Sequence, residues 1–352
     1  MRMVWALQAQ GKLHQAVELI AEHEAYIRQR GNRRYYISGV LNLMYGEILL
    51  EWNRLDEAEA QVRLGLRLLE DWPVPQSFCI GMGLLARLQL VMGDLAGART
   101  TLQKVDELYH VEEFHPAFVQ RFQIAQVCLW IVEQNVEALG TFVRKVSPLT
   151  TSDPAFRIEV PLVNLCRAWI ALGRSDEALG LLKRLYAAAE GRAGSQITIL
   201  TLLVAAQSDQ PEKARVTLDE ALRLAQTEGY LRSFLDAGEP MRRALDSWLQ
   251  HSTSATPTSL RAYARCLLSA LNYPNNTIRE KTGAATVLPE PLTPRELDVL
   301  RLLVTGCSDR QIAEELILAR GTVKYYVHGI LQKLDVHSRT QAIARARELD
   351  LV

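Results

Sequence analysis

The chain has 352 residues, 48% of them hydrophobic, enough for the cores of two or three domains, which excludes a disordered tail protein. Lysine plus arginine and aspartate plus glutamate number 40 each, so no global field steers the molecule toward polyanions or membranes. Any contact with nucleic acid has to come from a local patch.

From the amino end, a phrase recurs with a period close to 40 residues: Gly11-Lys-Leu-His-Gln-Ala16, Asn53-Arg-Leu-Asp-Glu-Ala58 and Gly93-Asp-Leu-Ala-Gly-Ala98, with weaker copies near Asn135, Gly173 and Asp209. Each copy reads as a turn, Gly or Asn fitting a helix end, followed by a helix whose small Ala admits a close neighbour. Between the copies lie apolar-periodic segments, Ile37 to Trp52, Phe78 to Met92, Phe118 to Val132 and Pro161 to Leu172, which read as the partner helices. Helical hairpins of this kind cannot bury their apolar faces singly. They are expected to stack into a solenoid with one concave surface, as tetratricopeptide-like repeats do. That surface serves either an inducer or partner, or only as a packed scaffold, and no pocket residue can be named from the sequence. Only ten residues precede Gly11, so the first repeat lacks room for a full opening helix, and the array is expected to be truncated at its amino end and to need a cap.

The chemistry of enzymes finds little support. His14, His23, His110, His115, His251, His328 and His337 show no HExxH spacing, and no Gly-flanked Ser suggests a nucleophile elbow. His110 and His115, with Glu112 and Glu113, read as a hydrated loop. No catalytic residue, metal site or cofactor is expected. The five cysteines, Cys79, Cys128, Cys166, Cys266 and Cys307, are scattered without a CxxC pair and fit reduced thiols. The most apolar stretch, Cys79 to Gly93, is short and carries Arg87, and the amino terminus has no signal-peptide pattern. The expected location is cytoplasmic, away from membranes.

The repeats fade after Tyr230, giving an expected repeat domain over 1–250. An extra helix, Ser259 to Leu271, and a linker rich in Pro and Asn, Asn272 to Pro291, fill 251–291. From Leu292 helix starts are sharply marked. Thr293-Pro-Arg-Glu296, Ser308-Asp-Arg-Gln311 and Ser338-Arg-Thr-Gln341 each read as a capping box, predicting helices near 294–305, 309–317 and 339–348. A fourth helix is predicted from about Arg320 to Leu334, with Val323, Val327, Ile330, Leu331 and Leu334 as its buried stripe. Its opposite face carries Thr322, Lys324, Tyr325, His328 and Gln332, groups suited to base edges and phosphates. A second helix of this kind is what a helix-turn-helix presents to the major groove, so Lys324, Tyr325 and His328 are the expected base readers. Arg320, Lys333, Ser338, Arg339 and Thr340 flank them as expected backbone contacts. Over 292–352 nine Lys and Arg stand against eight Asp and Glu, the acids mainly in the first two helices.

The segment Leu292-Thr-Pro-Arg-Glu296, Val299-Leu300, Gly306, Gln311-Ile-Ala313, Leu316, Gly321-Thr-Val-Lys324, Ile330, Lys333-Leu334, Val336 and Ser338-Arg-Thr-Gln-Ala342 resembles the LuxR-type helix-turn-helix almost residue for residue. The resemblance implies base contact at Lys324, Tyr325 and His328 and backbone contact at Thr322, Lys333 and Arg339. Two positions depart from it: Ala319 stands where a Ser usually caps the recognition helix, and Tyr326 replaces a frequent His. Upstream, Glu228-Gly-Tyr-Leu-Arg-Ser-Phe-Leu-Asp-Ala-Gly-Glu-Pro-Met241 resembles the carboxy-terminal part of MalT-type large LuxR regulators. Those relatives carry an ATPase module with a phosphate loop. No GxxxxGK[ST] occurs here, so ATP is not carried over.

The expected fold is therefore all-α, a tetratricopeptide-like helical-hairpin solenoid followed by a four-helix LuxR-type domain over 292–352. The expected function is a sequence-specific regulator of transcription that binds double-stranded DNA as a homodimer. Activation, and with it contact with RNA polymerase, follows from the resemblance alone. The competing expectation is an interaction scaffold whose terminal helices bind protein.

Overall fold

A computed structural model describes residues 2–29, 35–70, 75–108, 116–151, 156–253, 256–272, 294–304, 306–316, 320–334, 336 and 338–348. The chain forms two compact units, 1–278 and 279–352. The first contains α1 (Arg2–Ala9), α2 (Leu13–Gln29), α3 (Tyr35–Glu51), α4 (Leu55–Leu69), α5 (Pro75–Val91), α6 (Leu95–Leu108), α7 (Pro116–Val132) and α8 (Val136–Val146). It continues with α9 (Phe156–Ala171), α10 (Ser175–Ala188), α11 (Ala193–Ala206), α12 (Pro211–Ala225), α13 (Arg232–Leu235), α14 (Gly238–Gln250) and α15 (Thr258–Asn272). No strand occurs among the described residues, and no described helix is long and apolar enough to cross a membrane.

The recurring phrase is a helix stop followed by a helix start. The backbone turns left-handed at Gly11, Asn53, Gly93, Gln134 and Gly173, positions 39 to 42 residues apart. One residue later the N–H reaches back to the carbonyl five residues before it, as in Arg54 to Leu49, Asp94 to Gln89 and Arg174 to Trp169. That is the six-to-one bond of a Schellman cap, and it closes the first helix of each hairpin. The next helix is then capped by a side chain in two copies: Asp94 Oδ1 accepts from Gly97 N at 2.8 Å, and Asn135 Oδ1 from Ala138 N at 3.0 Å. Five residues after each left-handed turn comes a buried small residue, Ala16, Ala58, Ala98 and Ala178; at the fourth copy Leu139 takes this place. The copy near Asn135 looked weak because its left-handed residue is Gln134 and its packing residue is Leu. The turn before α12 uses Pro211 at the first helical position instead of a left-handed residue.

Consecutive helices pack as hairpins, and the first helix of each lies along the first helix of the next, as α5 does on α7 and α7 on α9. Where α3 meets α4 the approach is close enough to need glycine on both sides: a Cβ on Gly39 would lie 3.1 Å from the Gly65 carbonyl oxygen, and one on Gly65 2.8 Å from that of Gly39.

The array does not run open-ended. The end of α1 abuts the start of α11, where a Cβ on Gly194 would stand 2.4 Å from the Gln8 carbonyl oxygen. Val4 is buried there, while Met3 and Trp5 remain exposed. Short α1 is thus held between α2 and α11, which supplies at this end the covering the sequence called for.

The segment between α12 and α14 completes the closure. Leu231 N donates to Glu51 O at 3.0 Å, Trp52 Nε1 to Glu228 O at 2.8 Å, and His14 N to Glu228 Oε2 at 3.0 Å. Ser233 donates to Glu51 twice, through its amide and its hydroxyl, both at 2.9 Å. Asp236 accepts from Arg87 at 2.8 Å and from Arg232 at 2.6 Å, and Arg232 also reaches Asn53 Oδ1 at 3.2 Å. The ends of α2, α3 and α5 are thereby tied to α13. The expected boundary at 250 moves outward, because α15 packs on α12, α13 and α14, buries Leu260, Ala264 and Leu267, and bonds Tyr263 Oη to Tyr230 O. The expected linker and the His110–His115 loop lie outside the described residues.

Burial by itself would raise the Asp236 carboxyl, but Arg232, Arg87 and Arg167 outweigh it and hold the group well below the usual range. Replacing Asp236 by Ala leaves two arginines enclosed without a partner, and should cost about 3–5 kcal/mol in urea unfolding of the repeat unit. Glu51 shifts the other way: burial pushes it up to about 7, against the lowering effect of Ser233 and Arg87. A carboxyl raised on folding keeps its proton in the folded state, so its contribution is full below the unfolded value of 4.5 and is lost as pH rises through 7. Asp236 adds no slope in that window. The repeat unit should melt at a higher temperature at pH 5.5 than at pH 7.5, and Glu51→Gln should remove most of the difference, leaving the part due to Glu228, which burial also raises.

Candidate nucleic-acid interface

The second unit contains α16 (Pro294–Val304), α17 (Asp309–Glu315), α18 (Arg320–Lys333) and α19 (Arg339–Glu348). The short α17 is fixed at its start by the predicted capping box: Gln311 N donates to Ser308 Oγ at 3.4 Å, and Ser308 N donates to Gln311 Oε1 at 2.8 Å. At α19, Gln341 N donates to Ser338 Oγ at 3.2 Å. Thr293, the expected cap of α16, and Ala319, expected before α18, lie outside the described residues. Between α16 and α17 the chain turns on Gly306 with φ of 86°, and Cys307 N closes a six-to-one bond to Leu302 O.

Four helices share one core: Val299, Leu300 and Leu303 of α16, Ile312 and Ala313 of α17, Val323, Tyr326, Ile330 and Leu334 on or beside α18, and Ala342 and Ala346 of α19. Of the predicted stripe, Val323, Ile330 and Leu334 are buried and Val327 and Leu331 only partly so. Tyr326, which the sequence left between a phosphate contact and packing, is a core residue.

The strongest polar contact holding α18 in place is one the sequence reading missed. Glu296, on the first turn of α16, accepts from Lys333 Nζ at 2.7 Å, with both side chains less than 10% exposed. The same carboxylate covers Gly329, where a Cβ would lie 3.1 Å from Glu296 Oε1. Gly329 and Lys333 are one helical turn apart, so a single glutamate fills the notch at one and neutralises the other. Lys333 was expected to touch the DNA backbone; its ammonium is instead enclosed by the domain, and that expectation is corrected. Its spacing carried the signal, since 323, 326, 330 and 333 continue one buried stripe at helical period.

Arg339 is corrected in the same way. It donates to Asp309 Oδ1 at 2.8 Å and to the Cys307 carbonyl oxygen, and so ties the start of α19 to the start of α17. Ser338 and Thr340 beside it are exposed, with the Ser338 hydroxyl occupied as a cap. Positions 324, 325 and 328 lie on α18 off the buried stripe by helical register; the side chains there, and at Arg320 and Thr322, are outside the described residues.

Truncating Lys333 to Ala strands a buried carboxylate and should destabilise this unit by about 3–5 kcal/mol in urea unfolding. The paired change Glu296→Leu with Lys333→Met, which removes both charges, should recover most of that loss. Recovery with an unchanged salt dependence of duplex binding is the outcome expected of a lysine that makes no phosphate contact.

Residues 2–251 match the family described as the MalT-like TPR region, and residues 290–346 match bacterial regulatory proteins, luxR family. The HTH-type transcriptional regulator MalT of Yersinia pestis (strain Pestoides F) is 29% identical over 361 residues, covering 97% of this chain and 39% of that protein. Its counterpart in Serratia proteamaculans (strain 568) is 30% identical over 362 residues, with the same coverage of both chains. The chain thus spans about 39% of the length of these relatives. A closed helical-hairpin array matched over its length and a four-helix unit matched as LuxR-type together place the chain in the MalT-like family of LuxR-type bacterial regulatory proteins.

Proposed function

We propose that the protein is a sequence-specific activator of transcription that reads double-stranded DNA with α18 and senses a signal on its repeat array. The observation that carries this is the clamp on α18. Its buried stripe, the Glu296–Lys333 pair and the core fix one side of the helix, and the register leaves positions 321, 324, 325, 328 and 332 off that side. A rigid helix following a short capped one is the arrangement that enters a major groove. Lys324 suits guanine O6 and N7, and Tyr325 and His328 add hydrogen-bonding rings beside it.

Arg320, Thr322 and Thr340, with Ser338 and the free N–H groups at the start of α19, are the proposed backbone contacts. One such unit covers few base pairs, so useful specificity calls for two copies on paired half-sites. A homodimer on DNA, with RNA polymerase as the downstream contact of an activator, follows from that reading and from the relatives named transcriptional regulators.

Selection of random duplexes by the purified full chain should return a motif with two half-sites, and failure to enrich any motif would sink the proposal. On the recovered duplex, Lys324→Ala and His328→Ala should each cost about 1–3 kcal/mol and relax preference at one base pair. Arg320→Ala should weaken all sequences alike and lower the salt slope by about one unit. Identical behaviour of the three variants on every sequence would remove the distinction between readers and backbone contacts.

A further inference from the structure

The inner side of the array holds polar groups that the fold leaves without partners. On α9, Cys166 lies against the carbonyl of Ala178 and so marks the side turned toward the hairpin partner α10. Asn164 and Arg167, three residues apart, share the other side of the helix. Asn164 is 0% exposed, and neither its Oδ1 nor its Nδ2 has a hydrogen-bond partner among the described residues. Arg167 Nε is likewise buried and unpartnered, as is Nε of Arg87 on α5. A buried amide with both ends unsatisfied is rare in a folded protein and marks a missing companion.

The charges around these groups say what kind of companion. Arg167 lies within electrostatic reach of Asp236 and of Cys128 on α7. Asp236 already accepts from Arg87 and Arg232. Three guanidinium groups therefore surround one fully ionised carboxylate. Burial raises the Cys128 thiol, which keeps it neutral, and Glu51 is committed to Ser233. The enclosure carries more positive than negative charge, a state that burial penalises unless an anion joins it.

We propose that α5, α7, α9 and α13 enclose a binding site for a small hydroxylated oxyanion, held through its charged oxygens by Arg167 and the free Nε of Arg87, and through a hydroxyl by Asn164. Arginine offers donors only, in a planar fork matched to carboxylate or phosphate, whereas asparagine Oδ1 requires a donor from the ligand. The ligand class is thus a hydroxy acid or a sugar or polyol phosphate. The site deepens the sensor part of the proposed function and rests on that reading only for its role. It touches Asp236, the residue that closes the array, so an occupant there couples directly to the closure.

The test is thermal unfolding of the full chain in sodium phosphate, L-malate or glycerol 3-phosphate, each against sodium chloride at equal ionic strength. Malate and glycerol 3-phosphate separate the carboxylate and phosphate sources. At a concentration ten times Kd, the repeat transition should rise by about 2–4 °C. Arg167→Met should abolish the rise, and Asn164→Leu should abolish it for the two hydroxylated probes while sparing most of the effect of inorganic phosphate. In chloride alone Arg167→Met should melt no lower than the native chain, because it removes an enclosed unpaired charge. If no anion stabilises the native chain beyond Arg167→Met, or if Arg167→Met lowers the melting temperature equally in every salt, the groups are structural and the site is refuted. An anion that binds through Arg167 yet leaves duplex affinity unchanged supports the site and separates it from the sensor reading.

Discussion

A carboxylate that accepts from two arginines on different helices fixes both, and Asp236 does this between α5 and α13 while Glu51 anchors the adjoining Ser233 to the end of α3. A stacked array of hairpins ordinarily contacts only its neighbours, so its curvature is free to drift with each small rotation between repeats. Here the array is pinned across its own span, because residues 51 and 233, and 87 and 236, are far apart in the chain and adjacent in space. The curvature of the hairpins between them is set by that closure as well as by local packing.

Much of this was legible beforehand, and for a physical reason. A helix end that needs a left-handed residue and a helix crossing that needs a small one leave marks at fixed offsets, so the phrases at Gly11, Asn53, Gly93 and Gly173 located the hairpins. The capping boxes at Ser308 and Ser338 did the same for the short helices of the second unit. Such signals are local: each is satisfied within six residues.

What stayed hidden was polar and distant. Arg87 stood out only as a charge that interrupts an apolar stretch, and the segment from Glu228 to Met241 only as a resemblance; nothing in either named the other as its partner. Lys333 looked like a surface charge at the end of a recognition helix because charge argues for exposure, and only its place on the buried stripe argued otherwise. In both units the interactions missed are enclosed ion pairs, where the cost of taking a charge from water makes the partner obligatory and sequence separation conceals it. The outward-facing readers on α18 were legible for the opposite reason, since they are defined by what they do not pack against.

The closing contacts also have a temporal side. An open solenoid can order itself progressively as each hairpin leaves the ribosome, since every repeat needs only the one before it. The bonds from Ser233 to Glu51 span 182 positions, and that from Asp236 to Arg87 spans 149. The inner ends of α3 and α5 therefore wait, with Glu51 and Arg87 unmatched, until nearly the whole repeat unit has been synthesised. Up to that moment the growing array is a chain of locally folded hairpins with an unset curvature, and the last short helix converts it in one step into a closed body that opens as a unit and does not fray from its end.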